Sequence, residues 1–92
     1  MSLIFEWDEE KAASNLEKHG VSFEEASTVF AGSLSLTIND PLHSFEEKRF
    51  ITIGDSMELE ILVVVPAERD AKIRIISARE AIRKEKRDYE GR

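Results

Sequence analysis

The chain of 92 residues contains no cysteine. That excludes disulfide staples, cysteine-ligated metal centres and thiol nucleophiles, and it suits a reducing cytosol. Glycine and proline are scarce, at four and two residues. Neither a glycine-rich phosphate loop nor a low-complexity linker is present. No apolar run approaches the length of a membrane span. The N-terminus also lacks the basic-then-apolar pattern of an export signal. The expected location is cytoplasmic, with no membrane partner. No H-x-x-x-H pair or carboxylate cluster falls at metal-ligand spacing, so neither a metal nor another cofactor is expected.

What the chain has is charge. Charged residues make up 35% and hydrophobic ones 41%, the balance of a small globular protein. Its length fits one domain over residues 1–92, because any division would leave pieces too small to fold unaided. The net charge of −6 is unevenly spread: residues 1–68 carry −10 and residues 69–92 carry +4. A local basic surface on an acidic body follows from this. Proteins that grip long duplex DNA are usually basic overall, which disfavours a DNA-binding regulator.

Hydrophobic spacing predicts the order β-α-α-β-β-β-β-α. This is an α+β fold with a mostly antiparallel sheet, an N-terminal αα-hairpin and a closing helix. Leu3–Trp7 alternates as a short strand. Asp8 is a helix N-cap, with Ala12, Ala13 and Leu16 inward and Gly20 ending the helix. Ser22 and Glu25 form a capping box ahead of Phe23, Ala26, Val29 and Phe30. Leu34, Leu36 and Ile38 mark the next strand, and Asn39-Asp40-Pro41 breaks it. Lys48–Gly54 is a strand with Arg49, Ile51 and Ile53 on one face. Glu60–Val65 is the central strand, ended by Pro66. Ala67–Ala71 turns the chain into Lys72–Ser77. Ser77-Ala78-Arg79-Glu80 reads as a second capping box, opening a helix from Ala78 to Tyr89 with Ala78, Ile82 and Tyr89 inward.

That strand–helix junction brings Arg74 and Arg79 near free backbone N–H groups, a seat for phosphate. The purely structural reading of the same arginines is a solubilising surface. Arg83, Lys86 and Arg87 extend the basic row along the closing helix. Lys18 and His19 share the negative end of a helix dipole. They are either a favourable C-terminal cation pair or a general acid–base beside a phosphate-holding charge. His43 reads as exposed in a polar loop. Arg49, on an apolar face, requires an anion, whether a carboxylate or a ligand. Glu68 and Arg69 fall in the turn after the central strand, where functional side chains are common.

Taken in order, these residues resemble the BrnT family. The matching segments are F-E-W-D at Phe5–Asp8, K-H-G-V-S-F-E-E-A at Lys18–Ala26, Phe30, E-x-R-F at Glu47–Phe50, Ile53-Gly54, Glu68-Arg69, and R-I-I-S-A-R at Arg74–Arg79. The chain departs from the family pattern at Pro66-Ala67, where a polar or aromatic residue and a threonine are common. The resemblance implies a RelE-like fold and the toxin of a type II toxin–antitoxin pair. It further implies cleavage of RNA, neutralisation by a BrnA-like antitoxin, and a hetero-oligomer with that antitoxin.

Metal-free RNA cleavage requires a group to take the 2′-OH proton, cations around the pentacoordinate phosphate, and a donor for the leaving 5′ oxygen. His19 and Glu68 are the candidate proton-transfer groups, with Lys18 as an auxiliary charge. Arg49, Arg69, Arg74, Arg79 and Arg83 are the candidate catalytic or phosphate-binding cations. The alternative is a non-catalytic module that binds protein or RNA through the basic C-terminal helix, and the missing hydroxyl at Ala67 favours it.

Overall fold

A computed structural model of the protein describes residues 3–32, 35–39 and 50–91, with the backbone alone for Ile38, Asn39, Phe50, Glu68 and Arg69. Helix α1 (Glu9–His19) starts where the sequence demands it. The Asp8 carboxylate accepts from the Glu10 and Lys11 N–H groups at 2.8 and 3.2 Å. At the far end Gly20 takes φ +70° and donates its N–H to the Leu16 carbonyl, a left-handed cap suited to a residue without Cβ. Helix α2 (Phe23–Thr28) is capped by Ser22 Oγ, which accepts from the Glu25 N–H at 3.0 Å, and it runs into a 3-10 turn at Val29–Ala31. The Glu25 carboxylate accepts from Ser56 Oγ at 2.8 Å, tying α2 to a distant loop.

The five strands are β1 (Phe5–Glu6), β2 (Leu36–Asn39), β3 (Phe50–Asp55), β4 (Ile61–Arg69) and β5 (Lys72–Glu80), arranged in the order β1-β5-β4-β3-β2. Among the described residues only β1 runs parallel to its neighbour, with Phe5 beside Ile73 and Glu6 beside Arg74. As its apolar run predicts, β4 is central and covered on both faces. Leu62 and Val64 pack with Phe23, Ala26, Val29 and Ile75 beneath the helical hairpin, in the first core. Val63 faces the other way into a smaller core with Ile53, Ala81 and Tyr89. Trp7 meets Phe23 edge-on, at 6.0 Å between ring centroids, closing the first core at the β1 side. Where the 3-10 turn crosses β3, a Cβ on Gly54 would come within 2.9 Å of Val29 Cγ1, so glycine is what allows that approach.

Three expectations about the backbone of β4, β5 and the closing helix are corrected first. Pro66 does not end the central strand: β4 continues to Arg69, with a register shift between Val65 and Pro66. Proline has no N–H to give the ladder, and an irregularity at that point removes the need for one. The turn is consequently only Asp70-Ala71, both with positive φ (53° and 66°), a tight hairpin matching the twist of its strands. Glu68 and Arg69 are therefore the last residues of a strand, paired with Ile73 and Lys72.

The third correction concerns the capping box at Ser77. Strand β5 runs on to Glu80 and the closing helix α3 spans Arg83–Glu90. Cross-strand pairing to Val65, Val64, Val63 and Leu62 holds residues 77–80 extended and overrides the local helix signal. Glu85, two residues inside the helix, closes its start by accepting from the Ile82 N–H at 2.9 Å. The inward residues are Ala81 and Tyr89, while Ile82 is exposed. On α1, likewise, Ala13 and Leu16 are exposed and the buried residue is Asn15.

Asn15 explains how a weakly apolar helix is fixed to the sheet. Its Nδ2 donates to the Ala78 and Val21 carbonyls at 2.8 and 2.9 Å, and its Oδ1 accepts from the Ala78 N–H at 3.1 Å. Both backbone groups of Ala78 face away from β4, beyond the reach of the two-residue β1, and the amide of Asn15 takes the place of a strand there. Replacing Asn15 with alanine orphans these buried groups, with an expected loss of about 2–4 kcal/mol. Thermal melting should show this as a fall of about 10 °C or more. Asn15→Leu refills the space but not the hydrogen bonds, so it should not recover the loss.

Candidate functional site

The basic C-terminal segment is organised by the irregular β4–β5 ladder. Val65 pairs with Ser77 and Pro66 with Ile75, leaving Ile76 as an extra residue in β5. Arg74 and Arg79 are five positions apart, which in a regular strand would send them to opposite faces. The extra residue cancels that reversal. Arg79 pairs with Val63, whose side chain lies in the Tyr89 core. Arg74 lies beside Glu6, and Glu6 points away from the first core because its neighbour Phe5 packs against that core. Both arginines thus stand on the side of the sheet that carries α3.

Each holds a carboxylate. Arg74 Nη1 donates to Glu6 Oε2 at 3.0 Å, joining β5 to the edge strand. Arg79 makes a two-pronged contact with Glu85, Nη1 to Oε1 at 2.8 Å and Nη2 to Oε2 at 2.9 Å. The Glu85 carboxylate therefore anchors α3 to β5 and caps the helix at once. A phosphate accepts from guanidinium in the same fork geometry. The Arg79 side chain is 42% exposed, so an incoming anion has access to it.

The remaining candidates are dispersed. Arg83 is exposed at the first position of α3, and Lys86 and Arg87 follow on its solvent side. Lys18 and His19 are exposed on the last turn of α1, a helix whose Ala12 packs against the first core. They therefore belong to a helix on the other side of the sheet from Arg74 and Arg79. Glu68 and Arg69 are placed by backbone register at the hairpin end of β4. Arg49 and His43 lie outside the described residues. Among the described residues no three histidine or acidic side chains group as metal ligands, and no helix is long and apolar enough to cross a membrane.

Sequence reasoning missed both carboxylate partners. Glu85 carried a signal, since an acidic residue three positions past a helix start commonly reaches back to it. Glu6 carried none, because its pairing depends on β1 lying parallel to β5.

Arg79 holds the Glu85 carboxyl below its ordinary value; burial opposes this and the Ile82 N–H adds to it. A depressed carboxyl contributes stability that is present above the ordinary carboxylate range and lost as pH falls through the folded-state value. Glu85→Gln should therefore be less stable than wild type at pH 7, by roughly 1 kcal/mol or less for a pair this exposed. Urea titrations at falling pH should show the gap closing once Glu85 is protonated.

The model of the family described as ribonuclease toxin, BrnT, of type II toxin–antitoxin systems matches residues 7–85. The 1.1 Å crystal structure of the Brucella abortus ribonuclease toxin BrnT superposes with a TM-score of 0.69 at 22% identity, covering 89% of this chain and 100% of that one. At that identity the likeness is one of fold. No curated protein matches the chain. On the family match, which spans both the helical hairpin and the arginine-bearing strand, the chain belongs to the BrnT ribonuclease toxins of type II toxin–antitoxin systems.

Proposed function

We propose that the protein cleaves cytosolic RNA by acid–base chemistry without a metal, on the α3 side of its sheet, and that a BrnA-like antitoxin neutralises it in a hetero-oligomer. The observation that carries this reading is the placement of Arg74 and Arg79 on one face. They stand opposite Val63 and Ala67, four positions apart on β4, so about 13 Å separates them at roughly 3.3 Å per residue, a span that reaches more than one phosphate of an RNA strand. In this reading Glu85 occupies the fork that a phosphate takes over, Arg83 extends the cationic track along α3, and Arg69 is a further phosphate-binding cation. Glu68 and His19 are the proton-transfer groups, supported by the charges of Lys18 and Arg49. For His19 to take part, and likewise Glu68, whose cross-strand partner Ile73 lies toward the helical hairpin, the RNA must pass round the β1–β5 edge from one side of the sheet to the other. The arginines therefore carry more of the proposal than the histidine.

Purified protein incubated with cellular RNA, with and without EDTA, tests the reaction class. Cleavage should persist in EDTA, and its abolition would refute the metal-free mechanism. Arg79→Ala should slow cleavage by about a hundred- to thousand-fold, the cost of losing a charge-assisted contact to the transition state. Because Arg79 also anchors α3, its melting temperature is measured alongside, and Glu85→Gln serves as the control that breaks the same ion pair while keeping the guanidinium. Loss of cleavage in both variants alike would mean that the pair matters only for folding. His19→Ala in the same assay decides whether that residue transfers a proton, a role worth about 10²–10⁴ in rate.

A non-catalytic module remains the second reading, favoured by the pairing of both arginines with carboxylates and by the absence of a hydroxyl at Ala67. Soluble protein that leaves growth normal and RNA intact when expressed alone would establish it.

A further inference from the structure

The β3–β4 connection, residues 56–60, is built in a way that folding alone does not explain. Met57 and Leu59 are 80% and 86% exposed, the two most exposed large apolar side chains among the described residues. Leu59 also sits at φ +64°, a left-handed conformation in which a side chain with Cβ is strained and glycine or asparagine would be at ease. Yet the loop is held firmly. Ser56 Oγ, itself buried, accepts from the Glu58 and Glu60 N–H groups and donates to Glu25 on α2. The Met57 N–H donates to Thr28 Oγ1 at 2.9 Å. Two apolar side chains are thus presented to solvent on a fixed backbone, at a local conformational cost. Strain of this kind persists where a function uses the geometry it enforces.

The sheet register brings a third apolar side chain to the same end. Leu62 pairs with Glu80, and the Ala81 N–H donates to the Ile61 carbonyl, so Ile82, 60% exposed, follows directly beside the start of β4. Around this apolar group the charge is negative. Asp55, Glu58, Glu60 and Glu80 are all exposed there, and the sequence has no lysine or arginine between positions 50 and 68. The crowding is close enough that Glu80, through a shared hydrogen bond and repulsion, raises the Glu60 carboxyl above its ordinary value, and Glu25 and Glu58 add to the effect. Along the adjoining chain, cations return with Arg79, held by Glu85, and with Arg83 and Lys84 on α3.

We infer that Met57, Leu59 and Ile82, with their acidic rim, form the anchor site for a segment of the antitoxin that carries apolar side chains flanked by lysine or arginine. Apolar knobs in a charged rim of one sign fit a partner of the opposite sign, which the rim steers and the knobs retain. A second copy of this chain is disfavoured as occupant, since it would bring one acidic rim against another. RNA is disfavoured for the same reason. The inference rests on the toxin–antitoxin reading and deepens it by locating the inhibitor.

Leu59→Gly provides the test, because it removes the side chain and relieves the backbone together. It should melt at or above the wild-type temperature, cleave RNA at the wild-type rate, and bind the product of the adjacent reading frame at least about tenfold more weakly. Met57→Ser should weaken binding in the same direction. Glu58→Lys should slow association and flatten its salt dependence. A wild-type protein that forms no complex with that product overturns the toxin–antitoxin reading, and the anchor site with it. A wild-type complex whose affinity Leu59→Gly and Met57→Ser leave unchanged overturns the anchor site alone. If Leu59→Gly instead abolishes self-association without changing that affinity, the surface is a contact between copies and the inference is wrong.

Discussion

The ladder between β4 and β5 carries one residue more on β5 than on β4, and the placement of Arg74 and Arg79 on one face depends on that residue. Pro66 interrupts the donors of the central strand, and the pairing shifts there. Upstream of the shift, Ile73 and Ile75 lie toward the helical hairpin and Arg74 away from it. Downstream, Ala78 takes over the hairpin side, and Arg79 joins Arg74 on the other. An uninterrupted ladder would have put one of the two arginines under α1 and α2, in contact with the first core. Pro66, which as sequence looks only like a strand stop, is in the fold the point from which a two-arginine face is made.

A second polar contact keeps that strand in place. β5 has a full neighbour on one side and only Phe5–Glu6 on the other, so its later half has no neighbouring strand along that edge. Asn15 satisfies both groups of Ala78 and also reaches Val21, at the entrance to α2. One side chain thereby fixes α1, the hairpin turn and β5 relative to one another. On the other side of the sheet Glu85 does similar work for α3, linking Arg79 to the helix start. The two helical layers are each attached to β5 by one buried or half-buried polar group, with apolar packing around it.

Much of this was legible from residue spacing. Asp8, Gly20 and Ser22 act as their local chemistry requires, since capping depends on neighbours a few residues away. Leu62–Val64, apolar without interruption, had to be covered on both faces, and they are. What misled was local signal in competition with pairing. Ser77 and Glu80 satisfy the pattern of a helix start, but four successive cross-strand partners outweigh a capping box worth about 1 kcal/mol. Pro66 was a stop by rule and proved to be an irregularity. Asn15 gave no sign of its role, because its partners are Ala78 and Val21, the first of them 63 positions away. The arginines were legible as a basic segment; their common face was not, since it follows from a bulge that no single-strand pattern announces.

The two kinds of ligand considered for this chain differ in sign, and the fold keeps their surfaces apart while letting them meet at one corner. The arginine face and the outer side of α3 attract a polyanion. The end of the sheet at the β3–β4 loop repels one and attracts a cationic segment. Both encounters weaken with added salt, so ionic strength alone does not tell them apart. The corner between β5 and α3 belongs to both. Ile82 follows Arg79 by three positions, and Glu85 binds the Arg79 guanidinium and the Ile82 N–H with one carboxylate. A partner seated against Ile82 therefore presses on the residue whose carboxylate competes with phosphate for Arg79. On the proposed reading, in which phosphate displaces Glu85 and the antitoxin anchors at Ile82, a partner that holds α3 and Glu85 in place at this corner keeps the Arg79 fork filled by protein without covering the whole basic face.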